Sequence, residues 1–365
     1  MARKNYKISF CVVCMNRLHQ LKQTLLQNIS DNEDYAELEF IVLDYNSEDG
    51  MEEWAKENLF DYIKNGRVIY YKTTDPTSWS PSHSKNLAFK LATGEIVCSI
   101  WADYYTGKGF AQYVNDCYQK DDNIVLTPID FHKTKKYHSP PGDVLGKVIV
   151  KKRDFLKIKG FDERMNKHGF EDYDFVNRLE MIGVQRVIIE DHDFLQYIKH
   201  DNNERYLLPT NTLLGMYTRY INPSVSEILF LYNNNQFDKG ILIDNYTNDA
   251  DNFLYAYGIR NARFEYSLKD KGWEHGAWKQ NGKSISLSFP KKEITFLLLK
   301  NDGALLTDNK SLKYYKIDSK EVINEVLTFK HYYDTRSIME ENLKNNASVV
   351  NDVFGEAAVI KSYWA

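Results

Sequence analysis

Residues Gly94–Phe110 read GEIVCSIWADYYTGKGF, and this stretch decides the fold. Ile96, Val97, Cys98 and Ile100 make an apolar run of the length of a buried strand. The run leads to a carboxylate, Asp103, and then to a loop containing Gly107 and Gly109. In open α/β sheets, ligands bind outside the C-terminal ends of the strands. A carboxylate placed there can hold a hard cation, and the cation a diphosphate. The same acid can equally cap the turn that follows it.

Upstream, Ser80-Pro81 is a capping Ser with Pro at the first helical position. The helix it opens carries Asn86, Leu87, Phe89 and Leu91 and stops at Gly94. Lys7–Val13, Leu38–Leu43 and Arg67–Tyr71 read as further strands, with helices expected from Leu18 to Ile29 and from Met51 to Leu59. This alternation predicts parallel pairing with helical crossovers, hence an α/β layered domain. Asn16, Asp44 and Asp103 then line one edge of its sheet.

Downstream, a helix is expected from Phe110, a strand over Gly146–Lys151 and a short helix over Arg153–Ile158. His132–Gly142 is a basic loop containing two prolines; its Lys133–Lys136 run is either a solvated loop or a flap over a diphosphate. The stretch GFDERMNKHGFEDYDFVNRLEMIG, Gly160–Gly183, places Phe175, Val176, Leu179 and Ile182 on one helical face. Asp172 falls on that inward face, either favoured by the helix dipole or aimed into a cleft as a general base. Asp174 and Arg178, four residues apart, read as a solvated ion pair. Strands are expected at Gln185–Glu190 and Phe194–Ile198, the second ending at Lys199-His200-Asp201. His200 is a structural side chain or a metal ligand.

From about Thr212 the alternation stops. Met216–Tyr220 reads as a helix end, several short strands follow, and Glu321–Asn351 is helix-prone. Trp273 and Trp278, with Tyr255 and Tyr257 nearby, either pack or grip a glycan. The division expected is therefore residues 1–211 as an α/β domain and residues 212–365 as a smaller β-rich accessory domain.

The whole chain has 365 residues, enough for two domains. With 47 Lys+Arg against 51 Asp+Glu the net charge is -4, which argues against a nucleic-acid coat. Apolar residues at 43% support a packed core, and 26 tyrosines suit sugar rings as well as ordinary packing. The N-terminal MARKNYKISF has no signal-peptide run, and no window is apolar enough to span a membrane. Four cysteines, two of them in Cys11-Val-Val-Cys14, read as buried thiols and point to a reducing, cytoplasmic setting.

Taken together, Lys4–Asn211 resembles the family 2 glycosyltransferases of the GT-A fold. FCVVCMNR is similar to the family's first strand and polar exit, and IVLDYNSEDG to its nucleoside turn. HSKNLAFKLATGEIVCSIWADYYTGKGF resembles the segment bearing the metal-binding acid pair, and GFDERMNKHGFEDYDFVNRL the segment whose second acid is the catalytic base. The resemblance implies a Rossmann-like, mostly parallel sheet flanked by helices. It also implies an inverting transfer from a nucleotide-diphosphate sugar, UDP above others, to a hydroxyl of a glycan or lipid-linked acceptor in polysaccharide synthesis. Asp172 takes the place of the base, with Glu171 beside it. Asn16, Arg17, Asp44, Asn46, Ser47, Lys85, Asn86, Trp101 and Asp103 fall on the donor side. Asp103 and His200 are the implied ligands of Mn2+ or Mg2+. No nucleic-acid partner is implied, and membrane contact is peripheral at most. Three departures stand out: Trp101 replaces the first metal-motif acid, Lys85 an Arg, and Tyr45 the second acid of the nucleoside turn. Trp101 motivates an alternative, a degenerate protein that binds nucleotide sugars or glycans without turnover.

Overall fold

A computed structural model of the chain describes residues 5–128, 146–199, 213–223, 225–244, 266–268, 273–308, 310–362 and 364. The chain forms two compact units, Met1–Lys199 with Asp334–Ala365, and His200–Tyr333. The last residues therefore return to the first unit, where the sequence reading left all of 212–365 in one accessory region. The return is made by the second half of a helix, Asp334–Lys344, by coil segments and by a two-residue strand, whose local pattern does not show which unit they join.

The first unit is built on β1 (Ile8–Cys14), β2 (Leu38–Tyr45), β3 (Val68–Thr73), β4 (Ile96–Trp101), β5 (Ile124–Thr127), β6 (Ile149–Lys151) and β7 (Gln185–Ile188), with β17 (Ile360–Lys361) from the returning segment. Their order in the sheet is β17-β3-β2-β1-β4-β6-β5-β7. The four strands β3, β2, β1 and β4 run parallel, β6 antiparallel to its neighbours, and β17 antiparallel to β3. Every residue of β1 and β2 is buried, as strands covered on both faces require. Helices α1 (Leu18–Asp31), α4 (Pro81–Leu91), α5 (Phe110–Lys120) and α7 (Glu171–Met181) flank the sheet; α2 (Met51–Asn58), α3 (Phe60–Lys64) and α6 (Lys152–Lys157) are short. Two apolar cores lie on the two faces: one holds Phe10, Phe40, Leu21 and Phe110, the other Val13, Leu43, Phe89 and Phe175. The register aligns Cys14 with Asp44 and Val13 with Trp101, so the polar exits of β1, β2 and β4 leave from one edge.

Two local expectations are corrected in this unit. Asp174 and Arg178 are both buried, with side-chain exposures of 1% and 0%, not solvated. Phe194–Ile198 is not a strand; a 3-10 turn spans His192–Leu195, and a single bridge joins Tyr197 to Tyr104.

In the second unit the strands are β8 (Leu213–Asn222), β9 (Val225–Tyr232), β10 (Gln236–Asp244), β11 (Tyr266–Leu268), β12 (Glu274–Asn281), β13 (Ser284–Ser288), β14 (Glu293–Leu298), β15 (Leu305–Thr307) and β16 (Lys313–Ile317). Because β10 pairs with both β9 and β12, the antiparallel sheet closes on itself. Closure removes the exposed edges an open sheet would present. Met216–Tyr220, expected as a helix end, lies inside β8, where its Tyr, Thr and second Tyr favour a pleated strand. Leu229, Phe237, Leu287, Phe296 and Leu305 fill one core. Helix α8 (Lys320–Lys344) begins in this unit, where Val326, Leu327 and Phe329 pack with Met216, Ile228 and Phe230. Trp278 donates its indole N–H to the Tyr232 carbonyl at 2.9 Å, and Trp273 packs with Tyr333, ring centroids 5.3 Å apart. Both tryptophans thus make contacts within this unit; Tyr255 and Tyr257 lie outside the described residues. Among the described residues, no helix is long and apolar enough to cross a membrane.

Candidate active site

The exit of β1 and the turn after β2 are locked together. Asn16 and Asn46 take positive φ, 55° and 61°, a conformation asparagine tolerates better than most side chains. The Asn16 side chain accepts from the Glu48 N–H at 2.7 Å, and its own N–H donates to Ser47 Oγ at 3.2 Å. Asp49 accepts the N–H of Leu18 at 2.8 Å, just past Arg17 at the N-cap of α1. Asp44 is fully buried; one oxygen accepts from the Ser47 N–H at 2.8 Å and the other from the Tyr70 hydroxyl at 2.7 Å. Both oxygens of Asp44 are thus engaged by the protein, each through one bond. Asn46 donates to the Pro76 carbonyl at 2.9 Å. Tyr45, in place of an acid, bonds His83 Nδ1 through its hydroxyl at 2.7 Å. The other ring nitrogen, Nε2, lies 3.0 Å from the Glu356 carbonyl, which only accepts. Nε2 of His83 therefore carries a proton directed at that carbonyl.

The Asp103 loop is stitched from the side of α1. Thr24 donates to the Ala102 carbonyl at 2.6 Å, and Asn28 to the Tyr104 carbonyl at 2.8 Å. The Asp103 carbonyl accepts from the Ile198 N–H at 2.9 Å, and the Tyr105 N–H donates to the Gln196 carbonyl at 3.0 Å. These bonds hold Gln196–Ile198 alongside Asp103. His200, two residues further on, lies outside the described residues, as does the basic loop at 132–142. Buried Lys147 donates to the Tyr105 carbonyl at 2.8 Å and also to that of Phe194, tying the same two segments together. Burial lowers the pKa of Lys147 to about 7, against the attraction of Cys98 and Asp103.

Trp101 ends β4 as a half-buried ring. It meets Trp79 at 5.4 Å between centroids, and Trp79 meets Tyr45 at 5.6 Å. Gly146 is packed so closely on the Trp101 indole that a Cβ there would come within 2.0 Å of its Nε1.

The third segment opens α7. Gly169 and Phe170 both have positive φ, which turns the chain sharply into the helix. Glu171 accepts from the Gly169 N–H at 2.9 Å and from Lys85 Nζ at 3.2 Å. Lys85 also donates to Asp172 Oδ1 at 2.6 Å. Side-chain exposure is 1% for Lys85 and 2% for Glu171 but 13% for Asp172, so Asp172 alone of the three opens to solvent. Burial, together with the charge of Glu171, pushes the Asp172 carboxyl up to about 6 against the pull of Lys85. Burial opposes the charge on Glu171 as well, but Lys85 and His168 outweigh it and hold its pKa below the usual value. Asn86 is engaged within the fold. It is buried, donates to the Phe161 carbonyl and to Glu163, both at 2.9 Å, and accepts from the Phe161 N–H at 2.7 Å. Gly160 has φ of 72° and no room for a side chain, because a Cβ would lie 2.2 Å from Asn86 Oδ1.

The three segments meet through side chains. Tyr45, Trp79 and Trp101 form a run of rings, Lys85 Nζ lies 5.2 Å from the Trp101 ring, and Lys85 grips Asp172. Sequence reasoning missed Trp79 and Tyr70, which lie outside the quoted motifs, and gave no role to His83, which opens one of them. A cavity of about 400 Å³, lined in part by Ile29, Leu38, Tyr62 and Arg67, opens at the opposite end of the strands and takes no part here.

A divalent cation usually takes one or two carboxylates, water and substrate phosphates. Asp103 offers one carboxylate, Trp101 stands where another would be, and among the described residues no cluster of three His, Cys, Asp or Glu is present.

The α/β sheet thus brings the polar exits of β1, β2 and β4 to one edge, with a Lys-paired acid at the start of α7. Residues 9–181 match the model of glycosyl transferase family 2. Among solved structures, the chain is similar to the mannosyltransferase PcManGT from Pyrobaculum calidifontis in complex with GDP-Man and Mn2+, at 19% identity over 52% of this chain and 56% of that one, with a TM-score of 0.41. It is also similar to S. aureus TarS 1-349 in complex with UDP, at 18% identity over 51% and 58% of the two chains, with a TM-score of 0.42. The chain thus spans little more than half the length of these structures. No curated protein matches the chain.

Proposed function

We propose that the chain transfers a sugar from a nucleotide-diphosphate donor, UDP-linked above others, to an acceptor hydroxyl with inversion, and that Asp172 is the base. The observation that carries this is the Lys85–Glu171–Asp172 group, in which one acid is internally satisfied and the other is 13% exposed. As the acceptor oxygen bonds to the anomeric carbon, its proton passes to Asp172, and the bond from that carbon to the diphosphate breaks with its electron pair leaving on the diphosphate. A carboxyl near 6 is basic enough to take the proton and still ionised at neutral pH. Glu171 acts through Lys85 and the Gly169 turn. Asn16, Arg17, Asn46 and Ser47 shape the wall for the nucleoside, Asp44 holds that turn from behind, and Asn86 fixes the Gly160 turn. Asp103 and His200 would hold Mn2+ or Mg2+, which would offset the diphosphate charge. The acceptor class we favour is a glycan or lipid-linked glycan in polysaccharide synthesis, met in the cytoplasm with peripheral membrane contact at most. Residues 1–199 with the returning segment make the catalytic body.

A second reading, a nucleotide-sugar or glycan binder without turnover, is favoured by the indole at position 101. Release of nucleotide from UDP-GlcNAc and GDP-mannose with Mn2+, measured for wild type and Asp172→Asn, separates the two. Turnover in the wild type that falls about 10²–10⁴-fold in the variant supports the transferase. Equal inertness with retained nucleotide binding supports the binder.

A further inference from the structure

We propose that Lys85 is a positioning residue that sets both the charge and the aim of Asp172; the proposal rests on the reading of Asp172 as the base. Lys85 reaches across from α4 with its ammonium buried between two rings, 5.2 Å from the centroid of Trp101 and 4.6 Å from that of Phe161. The same ammonium lies 2.6 Å from Asp172 and 3.2 Å from Glu171. Two neighbouring buried carboxylates without a cation do not both ionise. With Lys85 between them the group can carry a single net negative charge. Glu171 has a second, fixed bond from the Gly169 N–H, whereas among the described residues Lys85 is the only donor to Asp172. The contact between Lys85 and Asp172 is therefore the one that an incoming hydroxyl loosens.

The charged groups facing Asp172 are Lys85 from α4, Glu171 from its own helix and His168 from the preceding turn. A compact ammonium with three rotatable donors can serve two acids on different bearings; the planar fork of Arg, which the resemblance has here, favours one acid bidentately. The substitution at position 85 thus has a geometric meaning: it shares one cation between a fixed acid and a reactive one.

The test compares wild type, Lys85→Met, Lys85→Arg and Asp172→Asn by two measurements. The first is thermal melting between pH 5 and pH 8 without substrate. An acid whose folded pKa is raised stabilises the fold while protonated and costs stability as pH climbs through that value. Lys85→Met should lose Tm more steeply with rising pH than wild type, and adding Asp172→Asn should flatten the curve. Lys85→Arg should follow wild type. Parallel curves for Lys85→Met and wild type overturn the proposal. The second is the pH profile of nucleotide release from UDP-GlcNAc and GDP-mannose with Mn2+. Lys85→Met should move the acid limb of kcat upward by about one pH unit or more, with KM little changed; Lys85→Arg, which keeps the charge but not the shared geometry, should leave the limb in place and lower the kcat plateau. An inert Asp172→Asn together with an unmoved limb in Lys85→Met defeats the role of Lys85 alone. An Asp172→Asn as active as wild type defeats the base itself. Should Lys85→Met not fold, Lys85→Met combined with Glu171→Gln leaves one acid unpaired instead of two, and the same comparisons apply.

Discussion

The end of β2 and the start of α7 each bury a carboxylate, and the two are used in opposite ways. Asp44 gives one oxygen to the Ser47 N–H and the other to the Tyr70 hydroxyl, and none of it is exposed. Asp172 is held through one oxygen by Lys85 and remains 13% exposed. Burial alone therefore does not mark a reactive acid. A carboxylate whose oxygens are all satisfied builds the wall, and one with a spare oxygen facing an opening can accept a proton.

Exchanging each acid for a neutral side chain breaks the comparison most sharply. Asp172→Asn should cost about 10²–10⁴-fold in turnover while melting within a degree or two of wild type at neutral pH. In wild type, turnover should rise with pH through about 6 as Asp172 loses its proton, and a profile flat from pH 5 to 8 would remove Asp172 from the role of base. Asp174 extends the wall-building kind one turn along α7. Arg178 bonds it at 2.7 Å and also donates to the Gly160 carbonyl at 2.8 Å. Asn342 donates to Asp174 at 2.8 Å and to Asp162 at 2.9 Å, so the returning segment is pinned to the same network. Arg178→Met strands a buried acid and should lose about 3–5 kcal/mol in urea unfolding. Asp44→Ala leaves a buried hydroxyl and an N–H without their acceptor and should lose about 3 kcal/mol, with activity falling in step with the folded fraction.

Much of this was legible in the sequence because apolar runs followed by Asp or Asn imply strands with polar exits. The exits of β1, β2 and β4 indeed share an edge. The partners of the acids were not legible. Lys85 meets Asp172 across 87 positions, and nothing local to either residue announces the other. Asp174 and Arg178 have the spacing of a surface pair, and only the Asn342 and Gly160 contacts reveal that they are interior. The returning segment is held by single bonds, such as Asn351 to the Phe161 carbonyl at 2.7 Å and Lys90 to the Phe354 carbonyl at 2.8 Å. Such bonds leave no periodic trace. The metal question turns on His200, which lies outside the described residues, and on Trp101, which the sequence already displayed as a departure.

The smallest change sharpens the comparison furthest. Tyr70→Phe removes only the hydroxyl that occupies the second oxygen of Asp44, and it keeps the ring that packs against Trp364 at 4.8 Å between centroids. It should cost about 1–2 kcal/mol, because one buried acceptor loses its donor while the turn keeps its Ser47 bond. The freed oxygen makes Asp44 resemble Asp172 in partner count but not in access, since β2 stays covered. If partner count decides a carboxylate's role, Tyr70→Phe should alter nucleotide binding, read as a changed Tm shift on adding UDP or GDP. If access decides it, that shift is unchanged and only the baseline Tm falls. The zero exposure of Asp44 favours the second outcome.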